Sequence, residues 1–174
     1  MQVSLRSPEV FPVLRLHLRH SVLAAFVAFA LITAGPVLAM PRDLTILHTN
    51  DTHDHLLPFD TRHGRELGGI ARRATLIRQI RAEATRSIVL DAGDTFQGTP
   101  IFTFFSGEAD TLTMDMAGYE ASTIGNHDLD NGLANLQKQL AGHHYRMICA
   151  NLVDAATGQP LFEPSHVFEK DGLR

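Results

Sequence analysis

The apolar residues of this chain form short continuous runs in some places and repeats spaced by three or four residues in others. The short runs are rich in β-forming residues, and each predicts a strand; they cover residues 43–48, 87–91, 121–124 and 146–151. The spaced repeats, at residues 70–84 and 133–140, predict amphipathic helices. Strands and helices therefore alternate, which predicts an α/β fold with mainly parallel strands.

The remaining segments are less regular. Pro58 and Gly64 predict an irregular connection before the first helix. Residues 101–118 are apolar and mixed, and we expect a helix only in their second half, at 110–117. Turn residues precede residues 161–169, which predict an edge strand or one arm of a hairpin.

The first 39 residues have the pattern of a secretory signal peptide. Several arginines precede an uncharged apolar run at residues 21–32, and Val-Leu-Ala at residues 37–39 offers a cleavage site. An uncleaved membrane anchor is the alternative, but Gly35 and Pro36 near the end of the run favour the signal peptide. We therefore expect a periplasmic or secreted protein without a stable membrane anchor after cleavage.

Composition and charge narrow the class of function. A chain of 174 residues with 44% hydrophobic and 20% charged residues is ordinary for a globular domain. Its formal net charge of −4 gives no electrostatic footprint for a nucleic acid polymer. The lone Cys149 excludes an internal disulfide, and its apolar neighbours predict a buried, inert thiol.

Polar segments follow the first three predicted strands. They read HTNDTHDH at residues 48–55, DAGDTFQG at 91–98 and GNHDLDNG at 125–132. In an open parallel sheet the ligand site lies outside the carboxyl ends of the strands, so these segments are expected to meet at one edge. Carboxylate, amide and imidazole groups are ligands for divalent metals. We therefore predict that the three segments converge on one metal centre.

Within the first segment, Asp51 and His53 are two residues apart. In an extended loop such residues can point the same way, so both could bind one metal. His55 continues this phase, whereas Asp54 is expected to face elsewhere.

The second and third segments add different groups. Gly93 lets the backbone approach a metal closely, and the carboxylate of Asp94 after it can bridge two ions. Asn126 offers a neutral oxygen ligand, and His127 offers an imidazole that can also do acid–base chemistry.

These motifs, taken in order, resemble those of the calcineurin-like metallophosphoesterase superfamily. The longer strings ILHTNDTH, DAGDTFQGTP, GNHDLDNG and CANLVDAATGQPLF are similar to its secreted 5′-nucleotidase branch. That branch includes the bacterial periplasmic nucleotidase/UDP-sugar hydrolases and cyclic-nucleotide phosphodiesterases. The resemblance covers residues 44–168 and implies a four-layer α/β/β/α sandwich with mainly parallel strands, here truncated.

The resemblance also implies a role for each site residue. Asp51 and His53 would bind a first divalent ion, Asp94 would bridge two ions, and Asn126 would bind the second. Mn²⁺ and Zn²⁺ both suit such mixed oxygen and imidazole ligands. His127 would stabilise the transition state or protonate the leaving group, with Asp130 orienting its ring; Asp128 receives no role.

The family's remaining metal ligands are histidines in later segments, which this sequence does not match. His143 and His144 follow Gly142 and precede a strand, so we interpret them as solvated loop residues. We therefore expect residues 40–174 to be the N-terminal half of an incomplete metallophosphoesterase domain. Its partner would be the missing C-terminal half, and alone it would fold poorly and be weakly active or inactive.

The function expected from these residues is hydrolysis of nucleotide phosphate esters by a two-metal, 5′-nucleotidase-type phosphoesterase. The alternatives within the same fold are a 2′,3′-cyclic nucleotide phosphodiesterase, a UDP-sugar hydrolase or a thiosulfohydrolase. A further alternative from another class is a non-catalytic metal-binding remnant.

Overall fold

The computed structural model describes residues 43–174, and the fold is given for these residues alone. The signal peptide predicted at residues 1–39 lies outside them. Within residues 43–174 no helix is both long enough and apolar enough to cross a membrane.

Strands and helices alternate along the described chain, as predicted. The strands are β1 (Thr45–Thr49), β2 (Phe59–Thr61), β3 (Gly64–Leu67), β4 (Ser87–Asp91), β5 (Ala121–Ser122) and β6 (Arg146–Met147). The helices are α1 (Ile70–Glu83), α2 (Pro100–Phe105), α3 (Glu108–Ala117) and α4 (Leu133–Leu140), with a 3₁₀ turn at His127–Leu129.

The central sheet has the strand order β1-β4-β5-β6, and all its neighbouring strands are parallel. Thr45 pairs with Ser87 and Thr49 pairs with Asp91, so β1 and β4 run in register over their full length. This confirms the predicted α/β class with parallel strands. β5 and β6 are shorter than the predicted strands at 121–124 and 146–151, because regular pairing stops after two residues in each.

The segment predicted to be irregular contains a hairpin instead. β2 and β3 pair antiparallel, with Phe59 opposite Leu67 and Thr61 opposite Gly64. The residues of both strands are almost all exposed, so neither strand has a buried face. A strand without a buried face has no alternation of apolar and polar residues, which is why the sequence pattern missed it.

Residues 101–118 also differ from the prediction, since their first half is helical too. Thr99 caps α2 by accepting a hydrogen bond from the amide of Ile101. Ser106 and Gly107 then take left-handed φ values of 53° and 96°, which end α2 and start α3. A side chain at Gly107 would place its Cβ 2.4 Å from the ring of Phe96, so the break requires glycine.

The predicted edge strand at residues 161–169 is wrong. These residues form no strand and have one isolated bridge, from Ile148 to Glu163; a second bridge, from Val153 to Pro160, lies just before them. Pro160 and Pro164 have no N–H group, so a continuous ladder cannot form across them.

The main core lies between the sheet and the helices α1 and α3. Ile77 from α1, Val89 from β4 and Met114 from α3 are buried together, and Leu47 from β1 packs against them. The apolar repeat of α1 therefore faces the sheet, as its spacing predicts. Cys149 is buried and free, which confirms the prediction of a buried thiol.

A second cluster lies beneath the loops that follow the strands. It consists of Phe96, Phe102 from α2 and Leu136 from α4, with Ile124 and Leu129 packed against it. Phe96 lies in the polar segment after β4, and Leu129 lies in the segment after β5. Apolar residues of these two polar loops therefore pack together in this second cluster.

We predict that Ile77→Ala lowers the free energy of unfolding by about 2–5 kcal/mol, because it leaves a cavity between α1 and the sheet. Ile77 is 4% exposed, whereas its neighbour Leu76 is 55% exposed. The matched control Leu76→Ala should change stability by less than about 0.5 kcal/mol. Urea unfolding followed by circular dichroism measures both, and equal losses in the two variants would contradict the orientation of α1.

Candidate metal centre

The loops that follow β1 and β4 lie side by side because their backbones continue the hydrogen bonding of the strands. The amide of Asp51 donates to the carbonyl of Gly93 at 2.9 Å, and the amide of His53 donates to that of Asp94 at 3.1 Å. The amide of Asp54 then donates to the carbonyl of Thr95 at 2.8 Å. The first two polar segments are thus paired over the residues predicted to bind metal.

The third segment is fixed to the second by the carboxylate of Asp128, which is 2% exposed. Its Oδ1 accepts hydrogen bonds from the amides of Thr95 and Phe96, both at 3.0 Å, and from the Thr95 hydroxyl at 2.9 Å. Its Oδ2 accepts from the amides of Asp94 at 3.0 Å and Gly125 at 2.8 Å. Five donors therefore stabilise one buried carboxylate and hold the two loops together.

The sequence alone gives Asp128 no role. In the sequence it is one acidic residue among several in a polar loop, and nothing distinguishes a buried acceptor from a solvated one. The only feature of the sequence that singles out Asp128 is its position directly after His127 of the GNHD motif.

Two glycines allow the second and third loops to approach this closely. A Cβ on Gly93, which has φ of 91°, would lie 2.6 Å from the amide nitrogen of Gly125. A Cβ on Gly125 would lie 2.0 Å from Oδ1 of Asp94. Any side chain at either position would separate the loops and displace the Asp94 carboxylate.

Asp51, His53 and Asp94 form a cluster with the chemistry of a divalent metal site. Each offers one ligand atom, and these atoms all lie within 4.8 Å of one another. The Nε2 atom of His53 lies 3.8 Å from Oδ1 of Asp51. Two carboxylates and one imidazole match the ligand preference of Mn²⁺ or Zn²⁺, so the residues present fit such an ion.

The orientation of His53 also fits metal binding. Its Nδ1 lies 2.9 Å from the carbonyl oxygen of Gln97. Because a carbonyl can only accept, Nδ1 carries the proton and Nε2 is left with a free lone pair. Metal-binding histidines are commonly held by such a bond from the second ring nitrogen.

The backbone geometry differs from the extended loop expected from the sequence. Asp51, His53 and Asp94 all have left-handed φ values, of 52°, 46° and 55°. Their side chains therefore come together because the backbone turns at each residue. They do not point the same way because of the alternation of side chains along an extended chain. Residues other than glycine rarely adopt this conformation, and such strain is typical of functional sites.

His127 lies at the edge of this cluster. Its backbone amide donates to Oδ1 of Asp94 at 2.8 Å, and its ring centroid lies 5.2 Å from that of His53 in an edge-to-face arrangement. Asn126 precedes it and is exposed. The structure therefore brings His127 next to the metal-type cluster, whereas metal binding by Asn126 stays a prediction.

Asp130 interacts with His127 as the resemblance implies. The Nδ1 atom of His127 and Oδ2 of Asp130 are 2.9 Å apart. This hydrogen bond raises the pKa of His127 above its ordinary value, with a smaller contribution from the charge of Asp94. The imidazolium form is thus favoured beside the cluster.

Several other polar residues of the loops lie outside the cluster. The Nδ1 atom of His55 lies 2.8 Å from the carbonyl oxygen of His53, and its ring packs against Phe59. His143 and His144 were predicted to be solvated, but both pair with Asp115, at 3.7 and 3.0 Å. His144 is nevertheless exposed, whereas His143 is largely buried.

Residues 44–172 match the calcineurin-like phosphoesterase family. The chain belongs to this family. Since the match covers the β1, β4 and β5 loops together, it covers the whole cluster described above.

The 5′-nucleotidase of Vibrio cholerae serotype O1 is similar, with 40% identity over 135 residues, which are 75% of this chain and 24% of that protein. The 2′,3′-cyclic-nucleotide 2′-phosphodiesterase/3′-nucleotidase of Yersinia enterocolitica is 36% identical over 154 residues, 83% of this chain and 23% of that protein. The crystal structure of a 5′-nucleotidase precursor from Thermus thermophilus matches with a TM-score of 0.67 and 40% identity, covering 74% of this chain and 26% of that one. The chain thus spans about a quarter of the length of these relatives.

We predict that Asp130→Asn lowers the pKa of His127, because the negative charge that favours the imidazolium is removed. The pairing stabilises the folded state while His127 is protonated, and this contribution is lost as the pH rises through the raised pKa. NMR titration of the imidazole resonances measures the change. In the control Glu169→Gln, which removes an exposed carboxylate paired with Arg174, the His127 titration should not move. An unchanged pKa in Asp130→Asn would contradict the assigned pairing.

We predict that Asp128→Asn lowers the free energy of unfolding by about 2–4 kcal/mol, because its NH₂ group would face backbone N–H groups that need an acceptor. Hydrogen exchange at the amides of Asp94, Thr95 and Phe96 should become faster. Asp43→Asn, at an exposed carboxylate before β1, is the matched control. Exchange at those three amides that stays at the wild-type rate would argue against Asp128 as the link between the loops.

Proposed function

We propose that this chain carries part of the active site of a divalent-metal-dependent phosphoesterase that hydrolyses nucleotide phosphate esters in the manner of a 5′-nucleotidase. The observation that carries the proposal is the clustering of Asp51, His53 and Asp94 beside the hydrogen-bonded pair of His127 and Asp130. Similarity to 5′-nucleotidases over three quarters of the chain supports the substrate class.

Asp51, His53 and Asp94 would hold the first ion, and Asp94 with Asn126 would contribute to a second. A bound divalent ion at this place supplies positive charge that polarises a phosphoryl group and makes water a better nucleophile at neutral pH. The Gln97 carbonyl keeps His53 in the tautomer that can bind metal. Mn²⁺ and Zn²⁺ are the ions that we propose.

His127 would act on the phosphate ester directly. Its Nδ1–H bond to Asp130 fixes the ring and leaves Nε2 as the nitrogen that can meet substrate. The raised pKa favours the imidazolium form, in which a proton on Nε2 could stabilise the charge developing on the phosphate or pass to the leaving oxygen. Asp130 would therefore orient and charge His127 without touching the substrate.

We propose that a segment equivalent to the remaining three quarters of the relatives supplies the other metal ligands. The same segment would supply the contacts to the nucleoside. With the two ligands proposed for it here, Asp94 and Asn126, a second ion would lack a full coordination shell. We propose that residues 40–174 form the N-terminal half of the catalytic domain. We also propose export, directed by residues 1–39, to the periplasm or the cell exterior.

A second candidate activity is hydrolysis of 2′,3′-cyclic nucleotides. The Yersinia enterocolitica relative with this activity in its name aligns with 83% of the chain, a larger share than the Vibrio cholerae 5′-nucleotidase. The metal cluster and the His127–Asp130 pair suit either ester, so substrate comparison decides between them.

We predict that the full chain binds Mn²⁺ and that Asp94→Asn weakens this binding by about tenfold or more, because it removes one of the charged ligands of the cluster. Isothermal titration calorimetry measures the affinity. Asp60→Asn is the matched control, since Asp60 is an exposed carboxylate in the β2–β3 hairpin. Equal affinity of Asp94→Asn and the control would sink the assignment of the metal site.

The activity itself is tested by phosphate release from a nucleoside 5′-monophosphate with Mn²⁺ present. We expect weak release by the chain alone, because ligands for the second ion are incomplete. A chimera in which residues 44–172 replace the matching segment of the Vibrio cholerae enzyme should be active and lose activity with His127→Ala. A folded, metal-loaded chimera that cleaves no nucleotide would overturn the proposed substrate class, and preference for a 2′,3′-cyclic nucleotide would favour the second candidate.

A further inference from the structure

The carboxylate of Asp54 lies next to the metal-type cluster but points into the protein interior. It is completely buried, at 0% exposure. Its Oδ2 accepts hydrogen bonds from the hydroxyl of Thr99 and from the amide of Phe102, the latter at 2.8 Å. Its Oδ1 has no hydrogen-bond partner. Half of this carboxyl group is therefore well satisfied and the other half is not.

A second buried carboxyl group, that of Asp110 in α3, faces the first. Asp110 is 2% exposed, its Oδ2 also lacks a hydrogen-bond partner, and its side chain lies within hydrogen-bonding reach of Asp54. Two unsatisfied oxygens on neighbouring buried carboxyl groups are explained together by one shared proton. With that proton on Asp110, each residue has a partner and only one charge is buried.

The electrostatic surroundings agree with this assignment. Burial and the nearby charge of Asp54 raise the pKa of Asp110 to about 8, and the more distant Asp128 acts in the same direction. Two ionised carboxylates in contact, both removed from water, would repel each other strongly. Asp110 is therefore the protonated member of the pair at neutral pH.

The segment that donates hydrogen bonds to Asp54 also contacts His53. Thr99 and Phe102 belong to the segment that also contains Gln97, whose carbonyl accepts from Nδ1 of His53. In the same segment, a Cβ on Gly98 would lie 2.2 Å from the carbonyl oxygen of His53. The segment is thus fitted tightly against the first loop, and Asp54 is the side chain that ties the two together.

We propose that Asp110 is a positioning residue for the metal site: its carboxyl group donates a hydrogen bond to Asp54, which fixes the loop carrying Asp51 and His53 against α2 and α3. The link to metal binding rests on the proposed function above. The hydrogen bond itself is independent of it. Since both side chains are buried, neither would touch metal or substrate.

The test compares an amide with an apolar side chain at residue 110 of the full chain. Asp110→Asn can donate its N–H to Asp54, so it should keep the urea midpoint of the wild type and the slow hydrogen exchange of the Phe102 amide. Asp110→Leu has a similar size but no donor, so that amide should exchange about tenfold faster or more. Glu108→Leu is the matched control, since Glu108 is exposed on the same helix.

Metal affinity is the readout that tests positioning. Asp110→Asn should retain the Mn²⁺ affinity of the wild type within about twofold, and Asp110→Leu should lose about tenfold, as when other supporting residues of metal sites are removed. Rescue by the amide and failure of the leucine would support the hydrogen bond as the cause.

Other outcomes overturn the proposal. If Asp110→Asn raises the urea midpoint well above the wild type, the native pair is two repelling charges. If Asp110→Leu behaves like Asp110→Asn, no donor is needed at residue 110. If the wild-type chain binds no Mn²⁺, the proposed function fails, while the exchange of the Phe102 amide still decides whether the hydrogen bond exists.

Discussion

The five hydrogen bonds received by the Asp128 carboxylate hold the segments after β4 and β5 in one fixed arrangement. Four of the donors are backbone amides, so the negative charge is stabilised by peptide dipoles. Because these amides belong to Asp94 and its neighbours, the position of this candidate metal ligand depends on the Asp128 side chain, which lies outside the Asp51–His53–Asp94 cluster. The amide of His127 then donates back to Asp94, which brings the His127 ring to the edge of the site.

Buried carboxyl groups support the site from two sides. Asp128 accepts from the second and third loops, and Asp54 accepts from the segment that begins α2. Both are removed from water: both oxygens of Asp128 accept from backbone or hydroxyl donors, whereas in Asp54 only Oδ2 does so. The acidic residues of the motifs thus divide into exposed or half-exposed groups with ligand geometry, such as Asp51 and Asp94, and buried groups that shape the loops.

The sequence predicted secondary structure best where an element has a buried face, because burial makes apolar residues recur at regular spacing. β4 and α1 were predicted because their apolar residues pack against the core, and the metal-type loops were located because each follows a strand of one sheet. The β2–β3 hairpin was missed because it has no buried face. Asp128 and Asp54 were missed as structural residues because a buried carboxylate and a solvated one are the same letter in a sequence. Their roles come from amides that only the folded loops bring together.

The continued pairing of the β1 and β4 loops means that the geometry of the cluster is set by strand register. Neighbouring strands lie about 4.8 Å apart, and the ligand atoms of Asp51, His53 and Asp94 lie within 4.8 Å of one another. A slip of β1 by one residue would move Asp51 and His53 by about 3.3 Å along β4. That shift exceeds a metal–oxygen bond of about 2.0–2.2 Å, so a misregistered sheet would retain every ligand in the chain and still have no site.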